Sequence, residues 1–168
     1  MISIRLAEKK DISEILTIYN DIILNTTAVY EYQPQTLAMR KAWFDTKLKD
    51  GYPVFVAEQD GKIMGFCDLI PSRDKDADPW AVAEIEAIYI LPPHWRTGAG
   101  RALCKSTLTT ARGQDYQAVT LWVLTSNDAA RRFYEAMGFR LDGTAKTGRM
   151  VDGSELHEIR FRISLQTP

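Results

Sequence analysis

The stretch from Ala83 to Cys104, AEIEAIYILPPHWRTGAGRALC, constrains this chain more than any other. Ile85 to Ile90 reads as a strand and stops before Pro92-Pro93. A turn with two glycines follows, Arg96-Thr97-Gly98-Ala99-Gly100-Arg101, and Ala102-Leu103-Cys104-Lys105 begins a helix. Strand, glycine-bearing turn and helix in that order suit a phosphate. Glycine lets backbone N–H groups approach a ligand closely, and the first helical turn offers unpaired N–H groups at a positive dipole end. Arg96 and Arg101 add formal charge beside them. The plainer alternative is a tight turn that holds nothing.

Two familiar phosphate loops are excluded. Gly98-x-Gly100 would open a dinucleotide fingerprint, but its third glycine position holds Leu103, and the acidic ribose partner expected about 20 residues on is replaced by Val119-Thr120-Leu121. A P-loop needs Gly-Lys-Ser/Thr, whereas Gly100 is followed by Arg101-Ala102. The net charge of −1 argues against a general nucleic-acid binder, which needs a basic face. No apolar run approaches the length of a membrane span. Met1 leads straight into a strand pattern without a signal peptide, so the expected location is cytoplasmic. Cys67 and Cys104 lack C-x-x-C spacing, and His94 and His157 lie far apart, so no metal site is expected. A chain of 168 residues with 45% apolar content predicts one domain, residues 1–168.

In chain order, Ile2 to Leu6 alternates as a first strand. Asp11-x-x-Glu14 resembles a capping box, and Ile12, Ile15, Leu16, Tyr19, Ile22 and Ile23 keep helical spacing. Residues 25–32 are polar and aromatic and read as a loop or a short extended piece. A second helix is expected over 36–49, packing through Trp43, Phe44 and Leu48 and stopped by Gly51. Asp60-Gly61 turns a hairpin between 53–58 and 62–70. A charged loop over 72–79 leads to the central strand, 81–91. The helix after the glycine turn runs over 98–114, and a strand follows over 118–124. Asn127 is placed as an N-cap, with Ala130, Phe133, Tyr134 and Met137 on one helical face. Residues 139–144 and 155–165 read as the last strands. The order predicts mixed α/β, with helices covering a largely antiparallel sheet.

With these elements in place, the chain resembles the GNAT superfamily of acyl-CoA-dependent N-acyltransferases. Ile88-Tyr89-Ile90-x-Pro92-x-x-Trp95-x-x-Gly98-x-Gly100 is similar to that superfamily's pyrophosphate loop. Ser126-Asn127-Asp128-Ala129-Ala130-Arg131-Arg132-Phe133-Tyr134-Glu135-x-x-Gly138-Phe139 is similar to its fourth-helix signature. The N-terminal third, with Ile18-Tyr19-Asn20 and the Thr-rich aromatic loop after it, looks like the phosphinothricin acetyltransferase branch. The resemblance implies a mostly antiparallel sheet of about seven strands flanked by four helices. It implies acetyl-CoA as co-substrate, with no metal, held by Ile88, Tyr89, Ile90, Arg96, Thr97, Gly98, Ala99, Gly100, Arg101, Asn127 and Tyr134. The superfamily is often dimeric, so a homodimer is possible, and the last strands could pair between chains. There are departures: Trp95 stands where Gln or Arg is usual, and the branch's candidate catalytic glutamate falls on Ile85, flanked by Glu84 and Glu86.

The implied reaction is attack of a neutral amine on a thioester. A glutamate on the central strand suits removal of the amine's proton, and Glu84 and Glu86 are both candidates. Two neighbouring carboxylates are expected to raise one pKa. The alternative is a solvated carboxylate at the sheet mouth. A free N–H near Ile88 to Ile90 is expected to receive the oxyanion. Tyr134 matches the tyrosine that protonates the departing thiolate; otherwise it is a packed aromatic. Arg73, Trp80, Tyr30, Glu31 and Tyr32 are the guesses for the acceptor side. An acyl-Cys104 route lacks a partnering histidine, and His94 is expected at the surface. The expected acceptor is a small amino-acid-like amine. A protein or peptide amine, then a polyamine or aminoglycoside, are the alternatives within catalysis. A CoA-binding sensor without turnover is the alternative outside it.

Overall fold

The structure, a computed structural model, describes residues 1–25, 33–150 and 152–166. Strands β1 (Ser3–Leu6), β2 (Val54–Gln59), β3 (Lys62–Pro71), β4 (Val82–Ile90), β5 (Ala118–Leu124), β6 (Arg140–Arg149) and β7 (Glu155–Ser164) form one sheet in the order β1-β2-β3-β4-β5-β7-β6. Every neighbouring pair is antiparallel except β4 and β5. The helices are α1 (Ile12–Asn25), α2 (Leu37–Asp50), α3 (Ala99–Gly113) and α4 (Asp128–Ala136).

The near-continuous apolar runs of β2 and β3 follow from burial on both faces. Val54, Val56 and Phe66 meet Ile15, Ile18, Ile22 and Phe44 of α1 and α2. The alternate residues Phe55, Ala57, Cys67 and Leu69 meet Leu103, Cys104, Leu108 and Ala111 of α3. The two faces thus have separate cores, one under α1–α2 and one under α3–α4. The Asp60-Gly61 hairpin closes with φ of 52° and 76°, the left-handed pair that a two-residue turn requires.

Three local expectations need correction. The capping interaction before α1 is one turn earlier: the Asp11 carboxylate accepts from the Glu8 N–H at 2.8 Å and from Arg5. Glu14 instead accepts from the Ile63 N–H on β3 at 2.9 Å. On α2, Leu48 is 51% exposed, and the buried positions are Arg40, Phe44 and Lys47. Two buried cations on one helix face are compensated by aromatic rings and carboxylates beneath them. Strand β6 runs to Arg149, beyond the expected end at 144, because it pairs with β7 as far as Arg149 opposite Glu155.

Candidate active site

The site begins where the sheet splits. β4 and β5 pair only at Val82–Ala118, Ala83–Val119 and Glu84–Thr120, although both strands continue. The gap opens a cavity of about 540 Å³ between Glu84–Tyr89 on one side and Leu121–Leu124 on the other. Arg73, Asn127, Tyr134, Lys146 and Glu158 complete much of the wall.

A bulge in β4 sets what faces each side. Asp68 pairs with Ala87 and Leu69 with Ile85, so Glu86 is the extra residue. Before it, Ala83 and Ile85 belong to the α3–α4 core; after it, Ile88 and Ile90 pack on that same core. Ala87, Tyr89 and Leu91 pack toward α1–α2. Strict alternation would have put Ile88 and Tyr89 on the opposite faces. The Leu91 N–H donates to Met64 of β3 at 2.9 Å, so by alternation Ile90 and Ile88 turn their N–H groups toward the split, where β5 has departed. The Trp95 indole N–H donates to the Ile90 carbonyl at 2.7 Å and ties the following turn to the strand.

Glu84 and Glu86 come together on one cation. Arg73 Nη2 lies 2.7 Å from Glu84 Oε1, and Arg73 Nη1 lies 2.8 Å from Glu86 Oε1. The Arg73 backbone N–H also donates to Glu84, at 3.3 Å. Behind Glu86, the Lys47 ammonium stands 2.5 Å from Glu86 Oε2 and 2.6 Å from Asp68 Oδ2. Burial alone pushes the Glu86 carboxyl up, but the hydrogen bond from Lys47 and the charges of Lys47 and Arg73 outweigh it and hold it below the usual range. The raised carboxyl is Asp68, pushed up by burial to about 7. The expectation of a raised glutamate is therefore corrected for Glu86: two cations lie against it, and the desolvated carboxyl is one strand away.

Tyr134 and Asn127 come from α4. The Asn127 side chain accepts from the Ala130 N–H at 3.1 Å, the expected N-cap, and the residue lines the cavity. Tyr134 packs edge-on to Phe133 and Phe139, with ring centroids 5.3 and 5.9 Å away. Its hydroxyl bonds to no other group among the described residues, and burial raises its pKa well above the ordinary value, so it stays a proton donor. Burial also pushes the Cys104 thiol up to about 12 and Cys67 higher than usual, which makes both poor nucleophiles.

The glycine turn follows Ile90 and enters α3 through Gly98, whose φ of 97° a side chain would strain. The first bond inside the helix runs from the Ala102 N–H to the Gly98 carbonyl, at 2.9 Å. Among the described residues, the N–H groups of Arg96, Thr97, Gly98, Ala99, Gly100 and Arg101 donate to nothing. The Thr97 hydroxyl donates to the His94 carbonyl at 2.7 Å and braces the turn. Such a fan of amides at a helix start fits a pyrophosphate. The donor set suits the phosphates of acetyl-CoA, and Asn127 lies on the wall of the cavity between the split strands.

Of the residues singled out in the sequence, Glu84, Glu86, Ile88, Tyr89, Asn127, Tyr134 and Arg73 line the cavity. Ile90 and the 96–101 turn do not form its wall. Trp80 is 88% exposed and lies away from it. Tyr30, Glu31 and Tyr32 lie outside the described residues. Ile85, where the resembled branch has its glutamate, also lines the cavity, although it is mostly buried in the α3 core. Sequence reasoning missed Lys47 and Asp68. A charge inside the apolar run Gly65-Phe66-Cys67-Asp68-Leu69-Ile70 was the available signal. It also missed Lys146 and Trp122, where the ammonium sits 4.0 Å over the indole at the cavity wall.

A sheet split with a turn of unbonded amides beyond one strand and a carboxylate cluster beside the other can hold an anionic donor next to a basic acceptor. The chain belongs to the acetyltransferase (GNAT) family, whose profile matches residues 15–139. It is 31% identical to the L-methionine sulfoximine/L-methionine sulfone acetyltransferase of Pseudomonas aeruginosa over 156 residues, 89% of this chain and 90% of that protein. It is 28% identical to the phosphinothricin N-acetyltransferase of Streptomyces viridochromogenes over 162 residues, covering 95% and 85%. Among solved structures, the yncA acetyltransferase of Salmonella typhimurium with its cofactor acetyl-CoA matches with a TM-score of 0.86 and 26% identity, covering 100% and 96%. The chain is thus an N-acetyltransferase of the branch that includes phosphinothricin acetyltransferase.

Proposed function

We propose that this single domain, residues 1–168, transfers an acetyl group from acetyl-CoA to the primary amine of a small amino-acid-like acceptor, in the cytoplasm and in one ternary complex. The observation that carries this reading is the Glu84–Arg73–Glu86 cluster, which lines the same cavity as Tyr134 and Asn127. The similarity to enzymes named for methionine sulfoximine and phosphinothricin supports the acceptor class.

The turn amides from Arg96 to Arg101 hold the pyrophosphate, with Arg96 and Arg101 adding charge. Bound acetyl-CoA supplies an activated thioester. Glu84 and Glu86 attract the acceptor's ammonium, and one of them takes its proton. The freed nitrogen bonds to the thioester carbon while an N–H of Ile88 or Ile90 receives the oxyanion. As the C–S bond breaks, Tyr134 gives its proton to sulfur; the nitrogen gives up its second proton to leave the neutral amide, a proton returns to the phenolate, and the glutamate releases the first proton to solvent. Alignment of the two reactants supplies much of the rate, so no acyl-cysteine is needed.

The test is a thiol-release assay with acetyl-CoA across amino acids, methionine and glutamate analogues, polyamines and peptides, with products identified by mass. Turnover with small amino-acid analogues supports the reading. Turnover confined to peptides would move the acceptor to proteins, and binding of acetyl-CoA without any turnover would leave a sensor module.

A further inference from the structure

Lys47 and Asp68 are buried ionisable groups that the reaction above does not use. Asp68 is fully buried on β3, and the Lys47 side chain is 8% exposed on α2. Desolvating two charges costs several kcal/mol each, and an apolar pair of equal volume is often as stable. Besides Glu86, what lies on this side is mainly apolar core: the Trp43 ring is 5.6 Å from the Lys47 ammonium, and Phe44 and Phe66 belong to the same core. Packing alone would therefore be served by leucines. What the pair does instead is reach the β4 bulge at two points. Asp68 Oδ1 accepts the Ala87 N–H at 2.8 Å, the amide next to the extra residue. Lys47 spans from Asp68 Oδ2 to Glu86 Oε2, the side chain of the extra residue itself.

We propose that Lys47 and Asp68 are positioning residues for the acceptor side of the transfer: Asp68 fixes the bulge through Ala87, and Lys47 holds the Glu86 carboxylate at the cleft. This rests on the reading of Glu86 as a group that faces the acceptor amine. The bulge leaves the Glu86 carboxylate on the acceptor side, where the buried pair holds it. The charged and titratable groups around it are Arg73 from the β3–β4 connection, Glu84 and Tyr89 on β4, Arg40 on α2 and Tyr19 on α1. Lys47 itself contributes the leading hydrogen bond that keeps Glu86 ionised. Burial alone would lower the Lys47 pKa, but Asp68 and Glu86 keep it raised and the ammonium charged.

The experiment uses wild type, Lys47→Met, Lys47→Arg, Asp68→Asn and Asp68→Leu. Carboxyl carbon NMR titration gives the Glu86 midpoint without any substrate. Acceptor kcat/KM against pH and the acetyl-CoA Kd complete the set. Lys47→Met is expected to raise the Glu86 midpoint by about one pH unit and to lower acceptor kcat/KM about tenfold or more near neutral pH. Acetyl-CoA Kd stays within about threefold, because the turn amides lie away from the pair. Lys47→Arg restores part of the loss. Asp68→Asn, which keeps an oxygen for the Ala87 N–H, retains more activity than Asp68→Leu; if the leucine variant does not fold, Asp68→Asn and the Lys47 pair still decide. An unmoved Glu86 midpoint in Lys47→Met, or a parallel loss of acetyl-CoA affinity, overturns the proposal. Should the wild-type protein acetylate no amine, the functional reading fails, while the substrate-free titration still decides whether Lys47 holds Glu86.

Discussion

Glu84 and Thr120 are the last residues to face each other across β4 and β5. Past them the strands part, and backbone groups that a parallel ladder would consume are left for a ligand. The split also separates the two halves of the chemistry. The glycine turn follows β4 toward α3, whereas both glutamates are gathered on Arg73 and, for Glu86, on Lys47 of α2.

Tyr134→Phe is expected to lower kcat by about 10²-fold, within the range for losing a positioned general acid. Acetyl-CoA affinity changes by less than about threefold, since the ring keeps its packing against Phe133 and Phe139. Because burial holds the phenol protonated well past its ordinary range, its ionisation does not shape the rate profile between about pH 6 and 9. Stopped assays of kcat with calorimetric Kd check this. An unchanged kcat removes Tyr134 from the mechanism.

Arg73→Met releases Glu84 and Glu86 from their shared cation. Glu86, now held low partly by Arg73, then rises toward its ordinary value. The acid limb of acceptor kcat/KM, set by the fraction of ionised carboxylate, moves to higher pH. Acceptor KM changes by more than acetyl-CoA KM. A pH–rate series with both substrates measures it, and identical profiles for variant and wild type contradict the assignment.

The two turn glycines differ in what they tolerate. Gly98 sits at φ 97°, so Gly98→Ala is expected to cost about 1–2 kcal/mol and to weaken acetyl-CoA binding by reorienting the amide fan. A Cβ on Gly100 would meet Phe133 at 3.5 Å and Ile90 at 3.7 Å, ordinary contact distances. Gly100→Ala therefore keeps the stability of the fold. Chemical denaturation of both variants distinguishes them, and equal losses would show that φ at Gly98 is not the limiting feature.

Asp11 is almost fully buried and bonded by Arg5 through both oxygens. The Arg5 hydrogen bonds hold its carboxyl below the ordinary value despite burial. A carboxyl depressed in the folded state adds stability above its unfolded pKa and loses it as pH falls through the folded one. Asp11→Asn is thus expected to cost about 1–2 kcal/mol at pH 7 and progressively less below about pH 4. Urea unfolding at several pH values reads this, and a pH-independent cost would refute the ionic origin.

Much of this was legible from spacing. The alternating and near-continuous runs of β2 to β5, the helical periodicity of α1 and the Asp60-Gly61 turn are local signals, and they placed the elements. The glycine turn and Asn127 were legible for the same reason, since caps and turns are written in adjacent residues. Residues joined only through tertiary structure were not. Lys47 looks like a surface lysine, and Leu48 beside it looks like core, until α2 is rotated over Asp68. Glu84 and Glu86 were visible as a pair. Their electrostatics were not, because Arg73 arrives from a loop and the bulge at Glu86 is set by Asp68 on the neighbouring strand.

The central claim is direct transfer between two substrates bound together across the split. Initial rates measured at several fixed acceptor concentrations while acetyl-CoA is varied test it most directly. Intersecting double-reciprocal lines, with the acetylated amine as product, are predicted. Parallel lines, accompanied by an acetylated protein trapped in the absence of acceptor, would contradict it and return Cys104 to consideration as an acyl carrier.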